Sequence, residues 1–298
     1  MESVLNKFEA YLLTEKCVAR NTFHAYMKDI RQFALFVRST NTLLKDTNLI
    51  ILKSYLKKLR HDTMSASSVA RKISSLKVFF KWAHQQLGWL DFTHNLIFPK
   101  IEQKLPNYLS PEEIQELLQA ALLDSSDTGK RNLVMLYLLY STGVRITELT
   151  TLTTSNVDFD SGCLTVMGKG GKERIVPLQQ MVMQLVRDYL STVHKKFIYL
   201  HQTTDYLFPI IYAGTIRPIS RQAFWGILKQ LCKKTSIKRP VSPHVLRHSL
   251  ATHLLKNGAH LRSLQLLLGH ENLSTVQIYT HVELSYLRTI YDKKHPRS

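Results

Sequence analysis

Over roughly the first hundred residues apolar positions recur at three- and four-residue spacing, with no glycine before Gly88 and no proline before Pro99. That period predicts helices. Asn21-Thr22 can cap a segment carrying Phe23, Tyr26, Ile30, Phe33 and Phe36–Val37 on one face. A second helix is predicted over Asn48–Leu59, and a third follows Ser65–Ser68 with Val69, Ile73, Leu76 and Phe80 as its apolar stripe. The rhythm stops between Leu96 and Leu109, a stretch with two prolines and no period. It restarts at Ser110-Pro111-Glu112-Glu113: a serine cap, proline at the first helical position, acids in the first turn. Leu133–Tyr140 reads as a buried helix that ends at Gly143. Cys163–Met167 and Arg174–Leu178 are β-like runs around the glycine-rich, basic turn Gly168–Glu173, a hairpin. From Pro177 onward the pattern is mostly helical. A polar segment from Tyr212 to Ser220 separates two helices, and Trp225 is expected to pack inside. The predicted architecture is mainly α in two domains: residues 1–98 a helical bundle, 99–109 a linker, and 110–298 a mixed α/β domain with a small hairpin or sheet.

Charge sharpens this picture. The formal net charge is +18 and the pI about 9.8. Residues 1–107 hold 17 Lys and Arg against 8 Asp and Glu, and residues 108–298 hold 23 against 14, so each half carries +9. A basic tail does not explain that balance; a polyanion touched by both halves does. On the third helix Arg71, Ser74, Lys77 and Lys81 fall within an arc of about 120° beside the apolar stripe, at 100° per residue. They are candidate phosphate contacts, against the plainer reading of a solvated face. Lys169 and Lys172 in the hairpin turn carry the same pair of readings. No apolar run reaches the roughly 20 residues of a membrane span, and MESVLNKFEAYLL lacks a basic segment leading into an apolar one. Cys17, Cys163 and Cys232 lack metal spacing and read as reduced thiols of a cytoplasmic protein.

The candidate chemistry lies between Pro243 and Val282, PHVLRHSLATHLLKNGAHLRSLQLLLGHENLSTVQIYTHV. Ser242-Pro243 starts a helix, which puts His244 and Arg247 on one face of its first turn, where free N–H groups and the helix dipole favour an anion. Gly269-His270 and Tyr279 follow. A phenol, two imidazoles and a guanidinium around one anion point to phosphodiester chemistry with a tyrosine nucleophile. The glycine-rich turn is not a P-loop, and neither metal nor nucleotide is called for.

These residues resemble the tyrosine site-specific recombinases, the λ-integrase-like group. Its TG-x-R-x-x-E-L box appears as Thr142–Leu149, its hairpin lysine as Gly168-Lys169-Gly170, then His244–Arg247, Leu268-Gly269-His270 and Tyr279-Thr280-His281-Val282. The wording of the last three, HVLRHSLATHLL…LLGHENLSTVQIYTHV, is most like the Xer branch, which resolves chromosome dimers. Asn21-Thr22, Tyr26, Asp29-Ile30 and Ser68–Arg71 resemble that family's N-terminal SAM-like core-binding domain. The resemblance implies a clamp on a double-stranded DNA recombination site. Tyr279 would be the nucleophile, Arg145 and Arg247 the phosphate ligands, His244 the proton acceptor, Lys169 the acid at the leaving oxygen and His270 a further phosphate contact. It also implies a tetramer on synapsed DNA, of like copies or with a paralogous recombinase, and activation by a septal DNA translocase. Three departures stand out. Asn95 is followed by Leu96 where the family has proline, His260 replaces an expected acid, and Thr147 replaces serine. Rival readings are an integrase of a mobile element, a type IB topoisomerase and a non-catalytic DNA-binding regulator.

Overall fold

The computed structural model describes residues 2–100, 108–168, 171–200 and 203–269. The chain forms two compact units, Met1–Lys104 and Leu105–Ser298. Residues 101–107, within the expected linker, lie outside the described residues.

The first unit packs α1 (Glu2–Thr14), α2 (Arg20–Ser39), α3 (Leu49–His61) and α4 (Ala66–Leu87). Asn48 caps α3 by accepting from the Ile50 and Ile51 N–H groups at 3.0 and 3.1 Å, and Ser65 caps α4 by accepting from Ser68. Gly88 ends α4 in the left-handed region at φ 69°, where a side chain would be strained. The expected cap of α2 is displaced. Ala19 holds that position without a side-chain bond, and Asn21 and Thr22 sit inside the first turn. Phe8, Leu12, Ile30, Phe33, Leu52, Tyr55, Phe79 and Phe80 are buried at the centre.

One polar cluster crosses this apolar core. Asp29 on α2 and Lys72 on α4 are both buried and meet at 2.8 Å. Lys72 also donates to Gln32 at 2.6 Å, and Arg71 adds an ion pair to the other oxygen of Asp29. A buried charge is tolerated when it is paired and its remaining hydrogen bonds are filled. Arg71, expected among the phosphate contacts, is therefore committed largely to Asp29 and to the Ala25 carbonyl. Lys77 lies 4.9 Å from the ring centre of Phe98, and Lys81 is exposed.

The second unit opens with α5 (Pro111–Leu122), held by a capping box. Ser110 Oγ accepts from Glu113 N at 3.2 Å and Glu113 Oε2 from Ser110 N at 2.8 Å. The apolar run around Leu133–Tyr140 falls in α6 (Asp127–Thr142), with Met135, Leu138 and Leu139 fully buried. The short α7 (Ile146–Thr150) follows, then a three-stranded antiparallel sheet of β1 (Val157–Asp158), β2 (Cys163–Met167) and β3 (Glu173–Pro177) in that order. α8 (Gln180–Tyr189) runs through a π-turn at Leu190–His194 into α9 (Lys195–Leu200). Two helices close the described chain after α10 (Arg221–Cys232): α11 (Pro243–Lys256) and α12 (Leu261–Leu268).

Two expectations fail here. The segment from Tyr212 to Ser220 contains most of a hairpin, β4 (Pro209–Tyr212) paired with β5 (Thr215–Pro218). Its turn residues Ala213 and Gly214 both have positive φ, the geometry that matches strand twist in a two-residue turn. Prolines terminate both strands, at Pro209 and Pro218, and disguise them as loop. Trp225 is 51% exposed, with Lys229 over its ring at 5.8 Å; the neighbouring Phe224 takes the core position.

The buried pair makes a prediction. Asp29→Ala leaves Lys72 charged and unpaired, and should lower the stability of the chain by about 3–5 kcal/mol in chemical denaturation. Replacing the pair together, Asp29→Leu with Lys72→Met, should recover most of that loss. A double variant as unstable as the single one would contradict the account.

Candidate active site

α6 cannot continue past Thr142, because Gly143 takes φ 63° and reverses the chain. A side chain there would be strained at that φ, and its Cβ would stand 2.6 Å from Leu268 Cδ2 and 2.9 Å from Leu250 Cδ2, so both buried leucines would have to shift. The tight turn releases Arg145 at the start of α7. Glu148, one helical turn on, reaches back to accept the Arg145 backbone N–H at 2.7 Å. Its other oxygen accepts Arg145 Nη1 at 2.9 Å, so one carboxylate fixes both the backbone and the guanidinium of Arg145.

Glu148 has a second cation. Arg174 on β3 donates Nη1 to Oε1 at 3.0 Å and Nη2 to Oε2 at 2.6 Å, a bidentate fork. Both partners are buried, with side-chain exposures of 7% and 6%, whereas the Arg145 side chain is 33% exposed. Of the two arginines, Arg145 is therefore the one that can meet a ligand. Burial pushes the Glu148 carboxyl upward, but the hydrogen bonds from Arg174 and Arg145 and the charge of Arg174 outweigh it and hold the group below its ordinary 4.5.

Helix α11 supplies the opposite wall. Ser242 caps it by accepting from Val245 N at 3.3 Å, with Pro243 at the first position. His244 stands exposed in the first turn and Arg247 is buried one turn later. Arg247 donates Nη1 to the Gly143 carbonyl and Nη2 to the Leu268 carbonyl, the latter at 2.5 Å. Arg145 Nη2 donates to the next carbonyl, that of Gly269, at 2.9 Å. Two guanidinium groups from distant parts of the sequence thus converge on one turn at the end of α12. Burial and the neighbouring charges of Arg145 and Arg174 push the Arg247 guanidinium down to about 10, which leaves it charged at neutral pH.

The sequence-predicted residues sort as follows. Arg145, His244 and Arg247 lie on the two elements that meet at this turn. Lys172 is exposed at the hairpin turn, its carbonyl accepting from Gly168 N at 2.7 Å. Lys169, His270 and Tyr279 lie outside the described residues. His253 on α11 is buried and hydrogen-bonded through Nδ1 to the Tyr140 hydroxyl at 2.9 Å. Among the described residues no group of His, Cys, Asp and Glu could hold a metal ion, and no helix is long and apolar enough to cross a membrane. Sequence reasoning missed Arg174. Its signal was positional: it shares a strand face with the buried Val176, where a charge needs a partner.

Comparison with known proteins bears on this arrangement. The Phage integrase family matches residues 107–285, and the Phage integrase N-terminal SAM-like domain matches residues 5–86. The chain belongs to the phage integrase family of tyrosine recombinases. Two relatives match over the whole of both chains: "Tyrosine recombinase XerD" of Halalkalibacterium halodurans, 38% identical, and the protein of that name from Staphylococcus aureus, 37% identical. Among solved structures, the XerH site-specific recombinase bound to its difH substrate is similar at TM-score 0.68 and 22% identity, covering 91% of this chain and 76% of that one. The Tn1549 transposon integrase in complex with circular intermediate DNA is similar at TM-score 0.67 and 18% identity, covering 95% and 98%. At those identities the likeness is one of fold: a mainly helical recombinase with an N-terminal SAM-like domain and small antiparallel sheets in its C-terminal domain.

A pH dependence follows from the Glu148 geometry. Its folded-state pKa is depressed, so the unfolded chain takes up the proton first. Its contribution to stability is complete above about pH 4.5 and drains as the pH falls below that. Glu148→Gln should lower the denaturation midpoint at pH 7 and flatten the loss of stability below pH 4.5 relative to the parent. Parallel pH profiles for the two chains would contradict it.

Proposed function

We propose that this recombinase cleaves and rejoins duplex DNA at a specific site through a 3′-phosphotyrosyl intermediate, and that its task is resolution of chromosome dimers. The observation that carries the reading is the convergence of Arg145 and Arg247 on consecutive carbonyls at the Leu268–Gly269 turn, with His244 exposed on α11 three residues before Arg247. The full-length likeness to relatives named XerD supports the cellular task.

Each residue has a task in this scheme. Arg145 and Arg247 place planar cations beside one phosphate and stabilise the charge that builds in the pentavalent transition state. Tyr279 attacks phosphorus. An ordinary phenol has a pKa near 10, so its proton must go to a base, and His244 is the group we assign to accept it. Lys169 returns a proton to the departing 5′-oxygen, and His270 donates to a phosphate oxygen. The phosphotyrosyl ester conserves the energy of the broken bond, and the 5′-hydroxyl of a partner strand reverses the attack. Lys77, Lys81 and Lys172 add contacts to the DNA backbone; Arg71 contributes less, since Asp29 holds it. The working assembly is a tetramer on two synapsed sites, of like copies or with a paralogue.

The decisive experiment uses a nicked duplex carrying the site recovered by footprinting, which traps the covalent adduct. Tyr279→Phe should abolish the adduct and leave DNA affinity within about twofold. An adduct formed by the Phe variant would remove Tyr279 from its role. Arg247→Ala should slow adduct formation by about 100-fold or more, the scale of losing one charge-stabilising donor. Affinity should move far less, because many phosphate contacts share the binding energy. DNA binding should weaken at least about tenfold between roughly 50 and 200 mM salt, and a flat response would count against a basic DNA-binding surface.

A further inference from the structure

We infer that Arg174 is a positioning residue of this site, holding Arg145 in place through Glu148 and seating the two backbone turns at Gly168 and Gly269. The inference rests on the reading of the site given above. Its evidence is a set of contacts made by one buried side chain. The bidentate fork to Glu148 occupies both Nη atoms, and Glu148 in turn holds the N–H and guanidinium of Arg145. The stem of Arg174 lies against Gly269, where a Cβ would stand 3.2 Å from Cδ and Nη1 and 3.3 Å from Nε. Gly269 is at φ 66°, and its carbonyl accepts from Arg145. On the other side a Cβ at Gly168 would stand 3.7 Å from Nη1 of Arg174. Gly168 immediately precedes Lys169 and Gly269 immediately precedes His270.

One side chain thus bonds the carboxylate that aims Arg145 and lies near the residues just before the expected acid and the second histidine. Arg174 does not reach solvent, so its action passes through these neighbours rather than through contact with DNA. The planar fork is essential to the role. A lysine would keep the charge and the stem but could bond only one carboxylate oxygen well, leaving Glu148 free to tilt and Arg145 to follow it. Arg174 also lies close enough to depress Arg247, which places it electrostatically within the same cluster.

The test is Arg174→Lys in the full-length chain, with Arg145→Lys and the double variant completing a cycle. Thermal unfolding, DNA affinity and the rate of adduct formation on the nicked duplex are measured for each. The single variant should unfold cooperatively, bind DNA within twofold of the parent and form adduct at least tenfold more slowly. In the double variant the two defects should fail to multiply, because both act through the guanidinium of Arg145. An Arg174→Lys rate within twofold of the parent would overturn the inference. Fully multiplicative defects would also overturn it, since Arg174 would then act independently of Arg145. Loss of cooperative unfolding or of DNA binding would do the same by making the contact a general support of the fold. A parent chain that forms no adduct at all overturns the reading of the site and this inference with it, whereas a reactive parent beside an unaffected variant overturns only this inference.

Discussion

A single buried carboxylate decides the shape of the candidate site. Among the described residues Glu148 accepts four hydrogen bonds: one from the backbone of Arg145, one from its guanidinium and two from Arg174. Burying an acid this deeply is unfavourable unless both oxygens are satisfied and the charge is matched. The requirement runs in both directions. Arg174 is tolerable inside the domain only because Glu148 is there, and Arg145 leaves α6 in a defined direction only because Glu148 holds its first N–H. The short α7 has little stability of its own, since five residues make barely more than one turn. Its place is set by this carboxylate and by Leu149 in the core.

Backbone carbonyls supply the rest of the constraint. Gly143 at the end of α6 and Leu268 at the end of α12 leave carbonyls that their own helices cannot satisfy, and Arg247 bonds both. The guanidinium therefore ties three helix segments at one point. Ser249, two residues along α11, accepts from the Leu109 N–H at 2.8 Å, which anchors the start of this unit to the same helix. Lys256 on α11 reaches the Tyr108 hydroxyl at 2.9 Å. The helix that carries His244 and Arg247 is thus fixed at its middle and its end, and in its first turn His244 faces solvent while Pro243 and Leu246 are buried.

Legibility from sequence followed the kind of force involved. Local capping chemistry read well: Asn48, Ser65, Ser110 and Ser242 cap helices where the pattern placed starts. The β2–β3 hairpin read well because alternation and a glycine-rich turn agree. Proline misled at β4–β5, where it terminates strands rather than breaking them. Nonlocal charge pairing was the least visible. Lys72 falls on the buried face of α4 one turn before Leu76, and Asp29 falls on that of α2 one turn before Phe33, so each is polar at a core position. Neither position says which residue completes it; only the packing of α2 on α4 brings them together. Arg174 repeats the case on a strand. For the site itself, the motif residues marked Arg145, His244 and Arg247, but not the carbonyls on which the two guanidinium groups meet.

That choice of partners has an electrostatic consequence. Three guanidinium groups, Arg145, Arg174 and Arg247, gather around one carboxylate, leaving a formal surplus of two positive charges. Had carboxylates held Arg247 and the second nitrogen of Arg145, the geometry would be as firm but the field would be cancelled. Carbonyls orient a cation without neutralising it. Desolvation and mutual repulsion show as the depressed Arg247, yet at about 10 its proton is lost in only about one molecule in a thousand at pH 7. Among the described residues the cluster therefore keeps a surplus of positive charge, and a bound anion would relieve it. Each arginine has five donors, of which two on Arg247 are committed to carbonyls and two on Arg145 to Glu148 and Gly269. Among the described residues the other donors of both are uncommitted, as the proposed contacts to two non-bridging phosphodiester oxygens require. Under the proposed reading, stability lost by crowding like charges would be held in place by the fold and returned on entry of a phosphate, which is the condition for binding growing charge more strongly than resting charge.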